Sequence, residues 1–250
     1  MAVDSLKTPM QSAWSSRRTV LRAVGAGAVV TLLSGRLGSV ARAQSPFPTR
    51  IRVLHAAPPL GKVEVLFNGE KKLDEFTYGT TSDWIEVGAG LVRVTISRDR
   101  AGINYIVYDA IAPVVANEDY ELILSDPLVI PVPVDRSPLA ADTARVRVVH
   151  AAVDVPAVDI AQKGGDVIIE NVGYGQLSDP LEVPAGSYDL EARLQGTSEA
   201  AFTLPTLTVE GGTVYQVVAY GIPGDSETPL TVGILSDAAR APIPAATPTR

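Results

Sequence analysis

Short alternating runs of apolar and polar residues dominate the chain from residue 50 onward. From Leu91 to Ser97, Val92, Val94 and Ile96 fall on one side of a pleated strand, and Arg93, Thr95 and Ser97 on the other. Val63-Glu64-Val65 and Arg145-Val146-Arg147-Val148 alternate in the same way. Further strands are predicted over Ile103–Ala110, Asp119–Ser125 and Leu128–Val134, with counterparts over Ala201–Val209, Val214–Tyr220 and Leu230–Leu235. Asn68-Gly69 and Gly164-Gly165 mark tight hairpin turns, whose backbone needs positive φ. Pro131 and Pro133 cannot donate to a β-ladder, so Leu128–Val134 is expected at a sheet edge. No stretch beyond residue 43 carries the period of an amphipathic helix.

The same pattern occurs twice. Arg52-Val53-Leu54-His55-Ala56-Ala57 returns as Arg147-Val148-Val149-His150-Ala151-Ala152 at an offset of 95. Tyr78-Gly79 returns as Tyr174-Gly175, and Val87-Gly88-Ala89-Gly90 as Val183-Pro184-Ala185-Gly186, each at an offset of 96. After a longer loop Pro127-Leu128 matches Pro229-Leu230 at 102, and landmarks that stay within one residue across most of a repeat indicate two copies of one fold. With about seven short strands per copy and turns rich in Gly, Pro and Asp, the expected class is all-β. Two tandem antiparallel β-sandwich domains, immunoglobulin-like or prealbumin-like, are expected at 50–136 and 145–237. A linker at 137–144 joins them, and 238–250, with little to bury, reads as a loose tail.

Residues 1–43 read as an address. Ser16-Arg17-Arg18-Thr19-Val20-Leu21-Arg22 is close to the twin-arginine export pattern, and a weakly apolar stretch follows from Ala23 to Leu33. Ala41-Arg42-Ala43 supplies the small residues a signal peptidase accepts, so cleavage is expected before Gln44. The apolar stretch is too short to span a bilayer as a stable helix. The expected location is therefore the periplasm, the cell surface or the medium.

Removing that segment changes the charge. The whole chain has 21 basic and 28 acidic residues; residues 1–43 hold six of the bases and one acid, leaving 15 against 27, a net charge of −12. Such a surface repels nucleic acid and anionic lipid. Cysteine is absent, which excludes disulfide staples, a thiolate nucleophile and a lipid anchor on cysteine.

The sequence V-R-V-x-H-A, followed by P-A-V-D and V-P-A-G-x-Y, resembles the domain of unknown function 4397. Val146-Arg147-Val148-Val149-His150-Ala151-Ala152, Pro156-Ala157-Val158-Asp159 and Val183-Pro184-Ala185-Gly186-Ser187-Tyr188 carry the resemblance in the second copy. The first copy departs from it with Gly61-Lys62-Val63-Glu64 and Gly88-Ala89-Gly90-Leu91-Val92. The resemblance spans residues 50 to 237 and implies a secreted or cell-surface microbial protein of tandem β-sandwich modules. It implies no reaction and supplies no catalytic residues.

The only two histidines, His55 and His150, fall at equivalent positions, each with an acid nine residues later, Glu64 and Asp159. If the first two strands of each copy form a hairpin, each His faces its acid, which would raise the histidine pKa. Alternatively, each His clamps its own loop, Ala56–Lys62 or Ala151–Ala157, by bonding backbone carbonyls. Both readings are structural, because a polar residue set by the fold recurs with the fold. One His and one carboxylate do not make a zinc site. Glu118-Asp119 are neighbours pointing to opposite faces of a strand, a poor pair for glycoside hydrolysis. Trp84, Tyr78, Tyr105, Tyr108 and Tyr174 are candidates for a sugar-binding platform, or for rings buried at strand ends. No cofactor is expected. The reading is an exported, non-enzymatic protein that binds a glycan, an envelope polymer or a protein, or has a structural role. The alternative is a secreted, carbohydrate-directed enzyme or accessory protein with a site between the two domains.

Overall fold

The computed structural model describes residues 48–241. The export-signal residues Arg17, Arg18, Ala41 and Ala43 lie outside the described residues, as do residues 242–250. The first copy contains β1 (Thr49–His55), β2 (Val63–Phe67), β3 (Glu70–Phe76), β4 (Ile85–Val87), β5 (Gly90–Arg100), β6 (Ile103–Val114), β7 (Asp119–Ser125) and β8 (Leu128–Val134). The second contains β9 (Thr143–His150), β10 (Val158–Gln162), β11 (Val167–Val172), β12 (Leu181–Pro184), β13 (Gly186–Tyr188), β14 (Leu190–Leu194), β15 (Ala200–Thr203), β16 (Leu207–Val209), β17 (Thr213–Tyr220) and β18 (Thr231–Ala238).

Each copy is a two-sheet sandwich with one topology. An inner sheet runs β4-β1-β7-β8 in the first copy and β12-β9-β17-β18 in the second. An outer sheet runs β3-β2-β5-β6 and β11-β10-β14-β15. The long β5 and β6 of the first copy are each split in the second, where β13 and β16 pair apart from β14 and β15. Pro205, in the gap between β15 and β16, has no N–H to continue a ladder. Asn68 and Gly69, with φ of 52° and 82°, turn β2 into β3 as the sequence requires. The proline-bearing β8 stands at the edge of its sheet.

The sheets are not purely antiparallel. β1 runs parallel to β7, and β9 parallel to β17. Parallel neighbours need a crossover, and here the chain between them passes through the outer sheet and back. The signal was a continuous apolar run, Leu122-Ile123-Leu124, buried on both faces of β7.

That two-sided burial stacks the two copies. Ile51, Val53, Leu122 and Leu124 face the outer sheet of the first copy, packing on Val63, Val65, Phe67, Val94 and Ile96. Leu54, Ile123, Ile130 and Val132 join Val149, Ala151, Val218 and Leu235 of the second copy in a separate core. A third core, built on Val146, Val148, Ile160, Leu190 and Val217, lies inside the second sandwich. Four sheets are therefore layered outer, inner, inner, outer, and the described residues belong to one compact unit. Fully burying each aliphatic side chain at the seam contributes roughly 1.5–3 kcal/mol.

Charged groups close the edge of this seam. Asp119, 0% exposed, accepts two hydrogen bonds from Arg50 (2.7 and 3.1 Å) and pairs with Arg136 (2.9 Å) and Arg240 (3.2 Å). Arg52 bonds both Glu121 and, at 2.8 Å, Asp237 of β18. The Trp84 ring lies under both guanidinium groups, 4.7 Å from Arg50 and 4.5 Å from Arg52, and its indole N–H donates to Asp237 at 3.0 Å. The expected loose tail is thus tied down where it begins. Ala239 N–H donates to Gly212 and Arg240 N–H to Arg136, both at 2.7 Å.

Candidate functional site

The His–acid pairs do not form. β1 and β2 lie in different sheets, because the loop after His55 crosses the sandwich instead of closing a hairpin. His55 donates from Nε2 to the Gly61 carbonyl at 2.8 Å, and its Nδ1 accepts the Ala57 N–H at 3.3 Å. Glu64 instead binds Lys71 (3.1 Å), Ser97 (3.3 Å) and Asn104 (3.2 Å) on the outer sheet. His150 donates from Nε2 to the Pro156 carbonyl at 3.2 Å, while Asp159 accepts the backbone N–H groups of Asn171 (2.7 Å) and Gly196 (3.0 Å). Each histidine is the clamp of its own loop. Burial pushes both ring pKa values down, opposite to the rise a facing carboxylate would cause.

The five aromatic candidates do not share a face. Tyr78 meets His55 and Tyr220 edge-on, with centroids 6.3 and 5.8 Å apart. Tyr174 meets His150 the same way at 6.3 Å, and its hydroxyl bonds Ser125 and the Asp126 carbonyl across the two copies. Trp84 is held in the arginine stack, Tyr108 packs on the first core, and Tyr105 is exposed on β6. Asp119 belongs to the ion cluster at the seam, where it pairs with Arg50, Arg136 and Arg240.

What the sequence reading missed is a cavity of about 390 Å³ between the inner and outer sheets of the second copy. Val148, His150, Ile160, Ala192, Phe202 and Ala219 are among its walls. Comparing the copies by strand register explains the space. Leu124 is the cross-strand partner of His55, and Ala219 that of His150. Ile96 pairs with Val65, whereas Ala192 pairs with the equivalent Ile160. Phe67 pairs with Val94, whereas Gln162 pairs with the equivalent Leu190. Phe76 and Val172 form a fourth such match, opposite Val63 and Val158. Four large side chains of the first sandwich are replaced by smaller or polar ones in the second, while their partners Val65 and Val94 give way to the larger Ile160 and Leu190. Ala219, Ala192 and Gln162 all line the cavity. This difference was present in the aligned repeats and is visible only once the register is fixed.

The lining is almost wholly apolar. Its polar members are His150, Asp154, Gln162 and Tyr188, and no Lys or Arg belongs to it. Tyr188 spends its hydroxyl on the Pro184 carbonyl at 2.7 Å. Ile168, Leu181 and Leu194 line the space yet are exposed, which gives it an apolar rim. His150 is 1% exposed, and its Nδ1 has no hydrogen-bond partner. Among the described residues no group of three or more His, Asp or Glu could hold a metal, and no helix is long and apolar enough to cross a membrane.

Fold and cavity together define a tandem β-sandwich protein with an apolar cavity inside its second repeat. The family model described as Domain of unknown function (DUF4397) matches residues 49–161 and 162–247, and the chain belongs to that family. The seam between the two matched segments falls inside β10. No curated protein matches the chain.

Proposed function

We propose that this is an exported, non-enzymatic binding protein of the cell envelope or extracellular space, which holds an apolar small molecule inside its second repeat. The cavity carries the reading. Its volume lies within the range of about 300–1,000 Å³ typical of ligand sites, and its walls are apolar with a few polar groups. Left dry and empty, such a space would be costly. The first repeat has the same topology, with Leu124, Ile96 and Phe67 where the second has Ala219, Ala192 and Gln162. The alternative site between the copies has little support, since Leu54, Ile123, Val149 and Val218 occupy that space. The Arg17-Arg18 pattern with Ala41 and Ala43 supports export by the twin-arginine route.

The test restores first-copy residues at the equivalent positions. A neutral fluorescent probe, N-phenyl-1-naphthylamine, should bind the full-length chain saturably at one site. Ala192→Ile with Ala219→Leu should abolish that binding and leave the melting temperature equal or higher. A chain that binds no probe, or a folded double variant that binds it as the parent does, would overturn the reading.

A further inference from the structure

A strand at the edge of a sheet presents a row of unpaired backbone N–H and C=O groups, and proteins blunt such edges with short length, charge, proline or bulges. Most edges here follow that rule. β4, β12 and β15 have three or four residues, and β8 carries two prolines. Five of the seven residues of β3 are charged, and β11 is broken by two register shifts. β18 carries Gly233 and Asp237. β6 is the exception. It is the longest strand described, 12 residues at the edge of its sheet. Its proline, Pro113, comes next to last, and one register shift, opposite Ile96 and Ser97, is its sole irregularity. Of the eleven large apolar residues exposed among the described residues, five stand on this strand: Ile103, Tyr105, Ile106, Val107 and Ile111. The corresponding edge of the second copy is the four-residue β15, so the shared fold does not demand so long an apolar edge.

We infer that β6 is a docking edge for a second copy of this chain, whose own β6 adds antiparallel across a twofold axis and continues the outer sheet. Charge favours that partner at this place. From residue 44 onward the chain carries 15 basic and 27 acidic residues, so two copies repel over most of their surfaces. β6 has one charged side chain, Asp109, and Arg93 of the neighbouring β5 neutralises it through bonds of 2.6 and 2.8 Å. Two copies can therefore meet along β6 without opposing like charges. Pairing about a twofold is self-complementary and occupies the same edge in both chains, so assembly stops at the dimer. The magnitude sets its strength. At about 3.4 Å per residue, 12 residues form a line of about 40 Å, and with a layer about 10 Å thick each copy buries about 400 Å². That is about half the area per partner of a standard interface, so the dimer is weak and reversible. The contact lies in the first copy and is independent of the cavity in the second.

Sedimentation velocity of the full-length chain tests this. From about 5 to about 200 µM, the range a weak interface requires, the chain should pass from monomer to dimer. Ile106→Lys with Ile111→Lys sets two charges on the edge and should keep the chain monomeric throughout. Both side chains are exposed, at 66% and 62%, so the melting temperature should not change. Ile234→Lys, the same change at the exposed apolar residue of β18, should dimerise as the parent does. A parent that stays monomeric, a folded double variant that still dimerises, or loss of the dimer in Ile234→Lys would each overturn the inference. Hydrogen exchange on the parent locates the contact without any substitution. The backbone amides of Ile103–Val114 should exchange more slowly at the higher concentration, and protection there that does not vary with concentration would also overturn it.

Discussion

Ala219 lies directly beside His150 on the neighbouring parallel strand, in the place where the first copy sets Leu124 beside His55. Leu124 is 0% exposed and closes the core over its histidine, whereas Ala219 leaves that side of His150 facing the cavity. The strand register is the same in both places, and the smaller side chain of Ala219 contributes to the space in the second repeat.

Substitutions at this pair should therefore have opposite consequences. Leu124→Ala opens a void in a filled core and should cost about 2–5 kcal/mol. Ala219→Leu adds volume where space exists, so it should cost little or raise stability. Urea unfolding of both variants measures the contrast. A large loss of stability in Ala219→Leu would mean that the second sandwich has no room to give.

The two histidines should differ in the same experiment. His55→Leu strands the N–H of Ala57, a residue 1% exposed, and should cost about 1–3 kcal/mol from that group alone. His150→Leu strands only the carbonyl of Pro156, an exposed residue to which water has access, and should cost less. If the second substitution proves the more damaging, the ring of His150 is held by contacts other than those described.

How far these features were legible in the sequence depends on what each one needs. Alternation at Val92, Val94 and Ile96 gave strand and face, because side-chain direction has a period of two. Asn68-Gly69 gave its turn, because the backbone there demands positive φ. Neighbours were harder. The nine-residue spacing from His55 to Glu64 suits a hairpin as well as a crossover, and alternation says nothing about which strand lies alongside. The loop goes over to the other sheet, and the pair was lost with it. The cavity was hidden for a different reason. Likeness between the repeats revealed the fold, but function lies in the positions where they differ, such as Phe67 against Gln162.

Stability should also respond to pH through Glu121. Burial pushes its carboxyl up to about 7, with the Arg52 guanidinium pulling in the opposite direction, and its Oε2 has no partner. The folded value lies above the ordinary 4.5, so the folded chain holds this proton more tightly than the unfolded one. The resulting stabilisation is complete below 4.5 and disappears as pH rises through 7. Glu121→Gln keeps an oxygen for Arg52 and removes the titration. Its stability relative to the parent should rise between pH 5 and pH 8 by on the order of 3 kcal/mol, at 1.36 kcal/mol per pKa unit. The comparison with the parent cancels the opposite slope of the two buried histidines. A pH-independent difference in urea midpoints would show that Glu121 is already ionised when folded.

The seam between the copies makes a last prediction about how the chain unfolds. Leu54, Ile123, Ile130 and Val132 of the first copy have their packing partners in the second, chiefly Val149, Val218 and Leu235. Asp119 is neutralised by Arg50 from its own copy and by Arg240 from beyond β18. A first copy expressed alone would expose that aliphatic face and lose Arg240 and Asp237 at once. Faces of this kind associate or leave the domain unfolded. The full chain should accordingly unfold in one transition, with the calorimetric and van't Hoff enthalpies equal. Asp119→Asn, which leaves three arginines around a neutral amide, should shift that single transition downward by about 3 kcal/mol without splitting it. Two resolved transitions in the parent would mean that the layers are held by their own cores and that the shared one contributes little.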